Sequence, residues 1–229
     1  MDERISVQRN LTTIKENIHL ACLQSNRNPD EIKVVAVTKY VSVERTEEAL
    51  SSGIVHFGEN RDEGLLEKWE HMSDKAVWHF IGSLQTKKVK KIIDKVSYIH
   101  SLDRISLAEE IHKRATQPVK CFIQVNVSGE ESKHGLEPEE VAEFVKDLSP
   151  FTNIELVGLM TMAPYTEDEK LLRTCFRDLK DLQEKIKAMN LSYAPCTELS
   201  MGMSNDYMIA IEEGATFIRI GSALVGSEQ

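Results

Sequence analysis

The stretch "KVVAVTKY", residues 33–40, sets five consecutive β-branched or small residues, Val34 to Thr38, before a lysine and a tyrosine. Such a run predicts a fully buried strand. Side chains alternate along a strand, so Val35, Val37 and Lys39 share one face. A long cation at the mouth of a buried strand is either a loop residue whose stem snorkels to water or an amine with work to do.

Working outward, seven further short apolar runs read as strands: "IVHFG" (54–58), "VWHFI" (77–81), "SYIHS" (97–101), "CFIQVNV" (121–127), "ELVGLMT" (155–161), "CTELS" (196–200) and "FIRIG" (217–221). Helical patterns separate them, for example Leu172, Cys175, Leu179, Leu182, Ile186 and Met189, or Val141, Phe144, Val145 and Leu148 after Pro138. Strand and helix in alternation mark a parallel α/β fold, and eight such units predict a closed (β/α)8 TIM barrel. No GxGxxG follows the first strand to favour an open dinucleotide-binding sheet. Before the barrel, Val7, Leu11, Ile14, Ile18 and Ala21 form one apolar helical stripe. The expected organisation is therefore a single domain over residues 1–229, with a leading helix in 1–26 and the barrel in 33–226. Since only eight residues follow the eighth strand, the leading helix is expected to cover the gap left by a missing final helix.

Hydrophobic residues make up 41% of the chain and charged residues 28%, the balance of a soluble globular protein. A net charge of −9 argues against general attraction to nucleic acid or to an anionic membrane. The basic run Lys87, Lys88, Lys90 and Lys91 alternates with Val89, Ile92 and Ile93 at helical spacing and reads as a solvated helix face. Cys22, Cys121, Cys175 and Cys196 show no CxxC pairing, and no long apolar run precedes them. Buried thiols in a reducing cytoplasm are the simplest account. A monomer is the default for an acidic surface without an apolar patch.

In a barrel of this class the active site forms at the C-terminal strand ends, and loops seven and eight often hold a phosphate. "ELSMGMSNDY" and "IRIGSALVG" occupy those places and offer serines and glycines before helices. In "FIRIG", Ile218 and Ile220 share one face, which turns Arg219 into the barrel. Buried arginine needs a planar or anionic partner. Glu198 or Glu59 would serve, and so would the ring nitrogen of pyridoxal phosphate (PLP), a cofactor that also takes a Schiff-base lysine.

The stretches "VVAVTK", "HFGEN", "WHFIGSLQTKKVK", "IHSLDR", "IQVNVSGEESKHG", "LVGLMTMAP", "ELSMGMSNDY" and "IRIGSALVG" run in order from residue 34 to 226 and resemble the pyridoxal-phosphate homeostasis proteins, the proline synthetase co-transcribed homologues. The resemblance implies a barrel like the N-terminal domain of alanine racemase, a fold-type III PLP protein. It implies pyridoxal 5'-phosphate held as a Schiff base on Lys39, with Ser200, Gly221 and Ser222 at the phosphate, Arg219 at the pyridine nitrogen, and Asn60 and Met201 nearby. It further implies a role in supplying free cofactor, with PLP-dependent apoenzymes as recipients, and in amino-acid balance, with no robust catalytic activity attached. Many members read "SKTK" or "SKGQ" where this chain has "TKY", which leaves the contact of Tyr40 open.

Rival readings use the same residues. A PLP-dependent racemase or lyase needs acid and base groups on both faces of the substrate carbon, for which Tyr40, Tyr165 and Tyr207 are candidates. A Schiff-base aldolase would set Lys39 against a sugar phosphate. A metal hydrolase would draw on His56, His79 and His100, but two of these precede the strand ends and no HxH pair occurs, so core histidines are the expectation and no metal is expected. "SGEESKHG", with Lys133 and His134, is either a lid or an ordinary polar loop.

Overall fold

In the computed structural model, which describes residues 6–130 and 134–226, eight parallel strands close in chain order, β8 returning to β1. They are β1 (Lys33–Val37), β2 (His56–Glu59), β3 (Val77–Phe80), β4 (Tyr98–Leu102), β5 (Val119–Gln124), β6 (Ile154–Met160), β7 (Glu198–Ser200) and β8 (Phe217–Ile220). The outer layer consists of α1 (Val7–Gln24), α2 (Val43–Ser51), α3 (Asp62–Met72), α4 (Thr86–Ile92), α5 (Ile105–Arg114), α6 (Val141–Asp147), α7 (Glu169–Lys187), α8 (Tyr207–Glu212) and α9 (Ser222–Val225). The (β/α)8 barrel expected from the periodicity is the fold found.

Strand ends differ from the expectation by up to three residues, and three of the shifts have a plain local reason. Val125 N–H still bonds to the Met160 carbonyl of β6, and the chain leaves the wall at Asn126, whose N–H bonds to the Leu136 carbonyl in the following loop. β7 begins at Glu198 because Cys196 holds a left-handed φ of 45°, which a strand residue does not adopt. β2 starts at His56, since Ile54 caps the preceding turn by bonding to the Ala49 carbonyl.

Alternation divides the core in two. Outward-facing residues such as Ala36, Phe57, Trp78, Ile99, Ile123 and Ile218 pack under the helices, whereas Val35, Phe122, Val157, Met160 and Phe217 fill the barrel itself. Between β6 and β7 the walls approach so closely that a Cβ on Gly158 would stand 1.9 Å from the Glu198 carbonyl oxygen. A glycine is required there.

Helix α1 buries the expected stripe, Val7, Leu11, Ile14, Ile18 and Ala21, with Cys22 beside it. It packs against α8 and α9, where Asn17 donates to the Tyr207 hydroxyl at 2.8 Å and Asn10 to the Leu224 carbonyl at 2.9 Å. Among the described residues a single helical turn follows β8, and α1 packs on that side of the barrel. The lysine run on α4 is only partly a solvated face. Lys87, Lys90 and Lys91 are exposed, but Lys91 also lies 2.9 Å from the buried carboxylate of Asp62 on α3, and the partly buried Lys88 bonds to the same group. All four cysteines are buried, and among the described residues no helix is long and apolar enough to cross a membrane.

Candidate functional site

The C-terminal strand ends surround a cavity of about 510 Å³, a volume ordinary for a site that takes a small cofactor. β1 and β8 lie side by side, so the loops after them share one wall: Val37, Lys39 and Tyr40 from the first, Gly221 and Ser222 from the second. Lys39 is exposed, its Nζ 4.7 Å over the Tyr40 ring. β1 ends at Val37, so Lys39 belongs to the open rim, as the snorkelling alternative had it. Asn60 lies after β2 and lines the cavity against Gly82, where a Cβ would meet the Asn60 carbonyl oxygen at 2.5 Å.

Arg219 points inward as the alternation on β8 required and is 4% exposed. Its Nη1 donates to the Ser200 hydroxyl at 2.6 Å and its Nη2 to the Thr161 carbonyl at 2.9 Å, both neutral acceptors. Burial pulls its pKa down to about 10, with the charge of Asp206 acting the other way. Burial likewise raises the Asp206 carboxyl, which accepts from Met203 N–H and feels Arg219. The two acids that might have taken Arg219 are engaged elsewhere. Glu59 binds Lys68 at 2.7 Å and Thr38 at 2.6 Å, and Glu198 lies 3.5 Å from Lys33 at the opposite end of the barrel.

With the fold and cavity established, residues 10–229 match the family described as alanine racemase, N-terminal domain. A pyridoxal phosphate homeostasis protein of Aquifex aeolicus is 42% identical over 223 residues, covering 96% of this chain and 97% of the relative. This chain belongs to the pyridoxal phosphate homeostasis protein family. PipY of Synechococcus elongatus, solved with PLP bound, is 31% identical with a TM-score of 0.80 over 93% of this chain and 100% of that one. An alanine racemase of Clostridium difficile is 14% identical with a TM-score of 0.77, covering 96% of this chain and 56% of the racemase, a likeness of fold alone.

Of the residues that the resemblance to the homeostasis proteins nominated, Lys39, Asn60, Arg219, Gly221 and Ser222 line one cavity. Ser200 and Met201 do not: both are fully buried, and the Ser200 hydroxyl lies between Arg219 and His100 instead of in the loop that faces the opening. The same loop presents Ser204 and Asn205, three and four residues beyond Met201. The loop's path made the difference: Gly202 adopts φ 90° and folds against Ala210 and Tyr207. Gln124 and Met162 also line the cavity without having been singled out in the sequence, and so does His134, from the stretch read as a lid or an ordinary polar loop. Lys133 lies outside the described residues. Of the tyrosines considered for acid-base work, Tyr40 is on the cavity, Tyr165 is 94% exposed, and Tyr207 is buried against Asn17 of α1.

Proposed function

We propose that this protein holds pyridoxal 5'-phosphate at the mouth of its barrel through Lys39 and serves the supply and homeostasis of that cofactor. The observation that carries the reading is Arg219, a buried guanidinium with neutral partners at the wall of a cavity that also presents an amine. A ring nitrogen that accepts a hydrogen bond fits such a donor, and Lys39, Ser204 and Ser222 suit the aldehyde and phosphate ends. The bound group supplies an electron-withdrawing ring and an aldehyde carbon open to attack by an amine.

The residues themselves define the division of labour. Arg219 can donate and cannot accept, so it favours an unprotonated ring nitrogen and weakens the ring as an electron sink. Gly221 and Ser222, beside Lys39, hold the anionic end with backbone and hydroxyl donors. The exposed rim of Lys39, Tyr40, Met162 and Met203 leaves the site open to water and to another protein. That suits hand-over of the cofactor to a PLP-dependent apoenzyme better than proton exchange at a substrate carbon, for which Tyr40 is the one candidate tyrosine present. We place the protein in the cytoplasm as a monomer, in keeping with its buried thiols.

The test is the visible absorption of wild type and Lys39→Ala after loading with PLP and dialysis. The wild type should retain a yellow band that the variant lacks. A wild type that retains no more cofactor than the variant sinks the reading and favours the Schiff-base aldolase.

A further inference from the structure

The barrel interior holds three imidazoles in single file. His56 on β2, His79 on β3 and His100 on β4 all face inward, and the register lifts each two residues above the last, since Gly58 pairs with His79 and His79 with Tyr98. His56 Nδ1 lies 2.9 Å from His79 Nε2, His79 Nδ1 lies 2.9 Å from His100 Nε2, and His100 Nδ1 lies 2.8 Å from the Ser200 hydroxyl. Ser200 completes the line by accepting from Arg219 at 2.6 Å. One end is the half-buried His56 near the N-terminal strand ends; the other is the wall of the cavity. Barrel interiors are ordinarily filled by branched apolar side chains, so a polar line crossing this one calls for a reason.

Its direction follows from hydrogen-bonding capacity. A guanidinium only donates, so the Ser200 oxygen accepts from Arg219, and among the described residues His100 Nδ1 is the acceptor within reach of the hydroxyl hydrogen. A neutral imidazole that accepts at Nδ1 carries its proton on Nε2, and His100 therefore donates to His79 Nδ1. By the same step His79 donates from Nε2 to His56 Nδ1, and His56 turns its Nε2–H toward the N-terminal end. Burial holds His79 and His100 well below the ordinary histidine range, with His100 and His56 adding to it at His79 and Arg219 and His56 at His100. Around His56 stand Lys33 from β1, His79 from β3, Tyr98 from β4 and the uncharged Phe217 from β8; burial and then Lys33 oppose its protonation. His79 stacks on Tyr98 and His100 on Phe122, each at 4.4 Å, which fixes the ring planes.

We propose that His100, His79 and His56 are positioning residues for Arg219: a one-way line of hydrogen bonds that commits the Ser200 hydrogen to His100 and aims the guanidinium at the cavity.

Nitrogen-15 NMR of histidine-labelled protein without cofactor reads the tautomers directly. At neutral pH all three should be neutral Nε2–H imidazoles, and Ser200→Ala should leave His100 a mixture of the two forms. A His100 proton on Nδ1 in the wild type, or unchanged populations in Ser200→Ala, overturns the inference. The second arm rests on the cofactor reading: His100→Phe, which keeps the stack on Phe122 but cannot accept, should bind PLP on the order of tenfold more weakly and shift its visible band. Wild-type affinity and band in that variant overturn the positioning role. A wild type that binds no PLP sinks the cofactor reading instead, and the tautomers then decide the inference alone.

Discussion

Lys68 shows how a single side chain sets the end of β1. Its ammonium group donates to the Thr38 carbonyl at 2.6 Å and to Glu59 at 2.7 Å, while the Thr38 hydroxyl binds the same Glu59 oxygen at 2.6 Å. Thr38 is the residue before Lys39, so this knot fixes the direction in which the rim lysine leaves the wall. Lys68 and Glu59 are 5% and 1% exposed, and breaking a pair that deep strands a charge in low dielectric. Lys68→Ala should therefore lose about 3–5 kcal/mol by urea unfolding, and Lys68→Met combined with Glu59→Gln should recover most of it. A loss below about 1 kcal/mol in the single variant would show that the knot does not hold the strand end. In the sequence Lys68 reads as one more charge on an amphipathic helix. The available signal was its place on the buried stripe of α3 with Asp62, Leu65 and Met72.

At the level of elements, the strands were legible because each is a short apolar run with turn residues around it, and their ends were less so. The barrel closes only if β7 can approach β6, and Gly158 permits that approach beside the register shift in β5 and β6. Gly158→Ala should destabilise by about 1–3 kcal/mol or more, seen as a lower thermal midpoint, because the displaced atom is backbone and cannot swing aside. A variant as stable as wild type would mean that the β7 wall moves freely. The leading helix was readable from its stripe, which packs against α8 and α9. The pairing of Lys88 and Lys91 with Asp62 was not, because it joins two helices across a strand.

For the whole molecule, a polar line inside the barrel couples stability to pH. His79 and His100 stay neutral in the fold while the same residues in the unfolded chain take up protons near pH 6.5. Below that pH the unfolded state binds more protons, so stability is full above about 6.5 and falls as pH drops, by up to about 1.4 kcal/mol per pH unit for each imidazole. Urea midpoints at pH 7.5 and 5.5 check this. Equal values would mean that these rings are protonated in the fold or solvated on opening. The mouth is the opposite case: Lys39 and Tyr40 are exposed, so substitutions there should be read in cofactor retention and not in stability.

The strands, the helices, the leading stripe, the inward turn of Arg219 and the family were all readable from the chain alone, because periodicity and motif order are local or additive along it. The sequence also determined most of the cavity wall, since strand ends in a closed barrel have one place to go. The tertiary structure alone decided that Ser200 faces inward beneath Arg219 while Ser204 and Asn205 reach the cavity, and that three histidines scattered over β2, β3 and β4 form one line. The physical reason is separation: His100 and Ser200 are 100 residues apart, and only closure of the barrel, with its register and its turn at Gly202, brings their side chains within 2.8 Å.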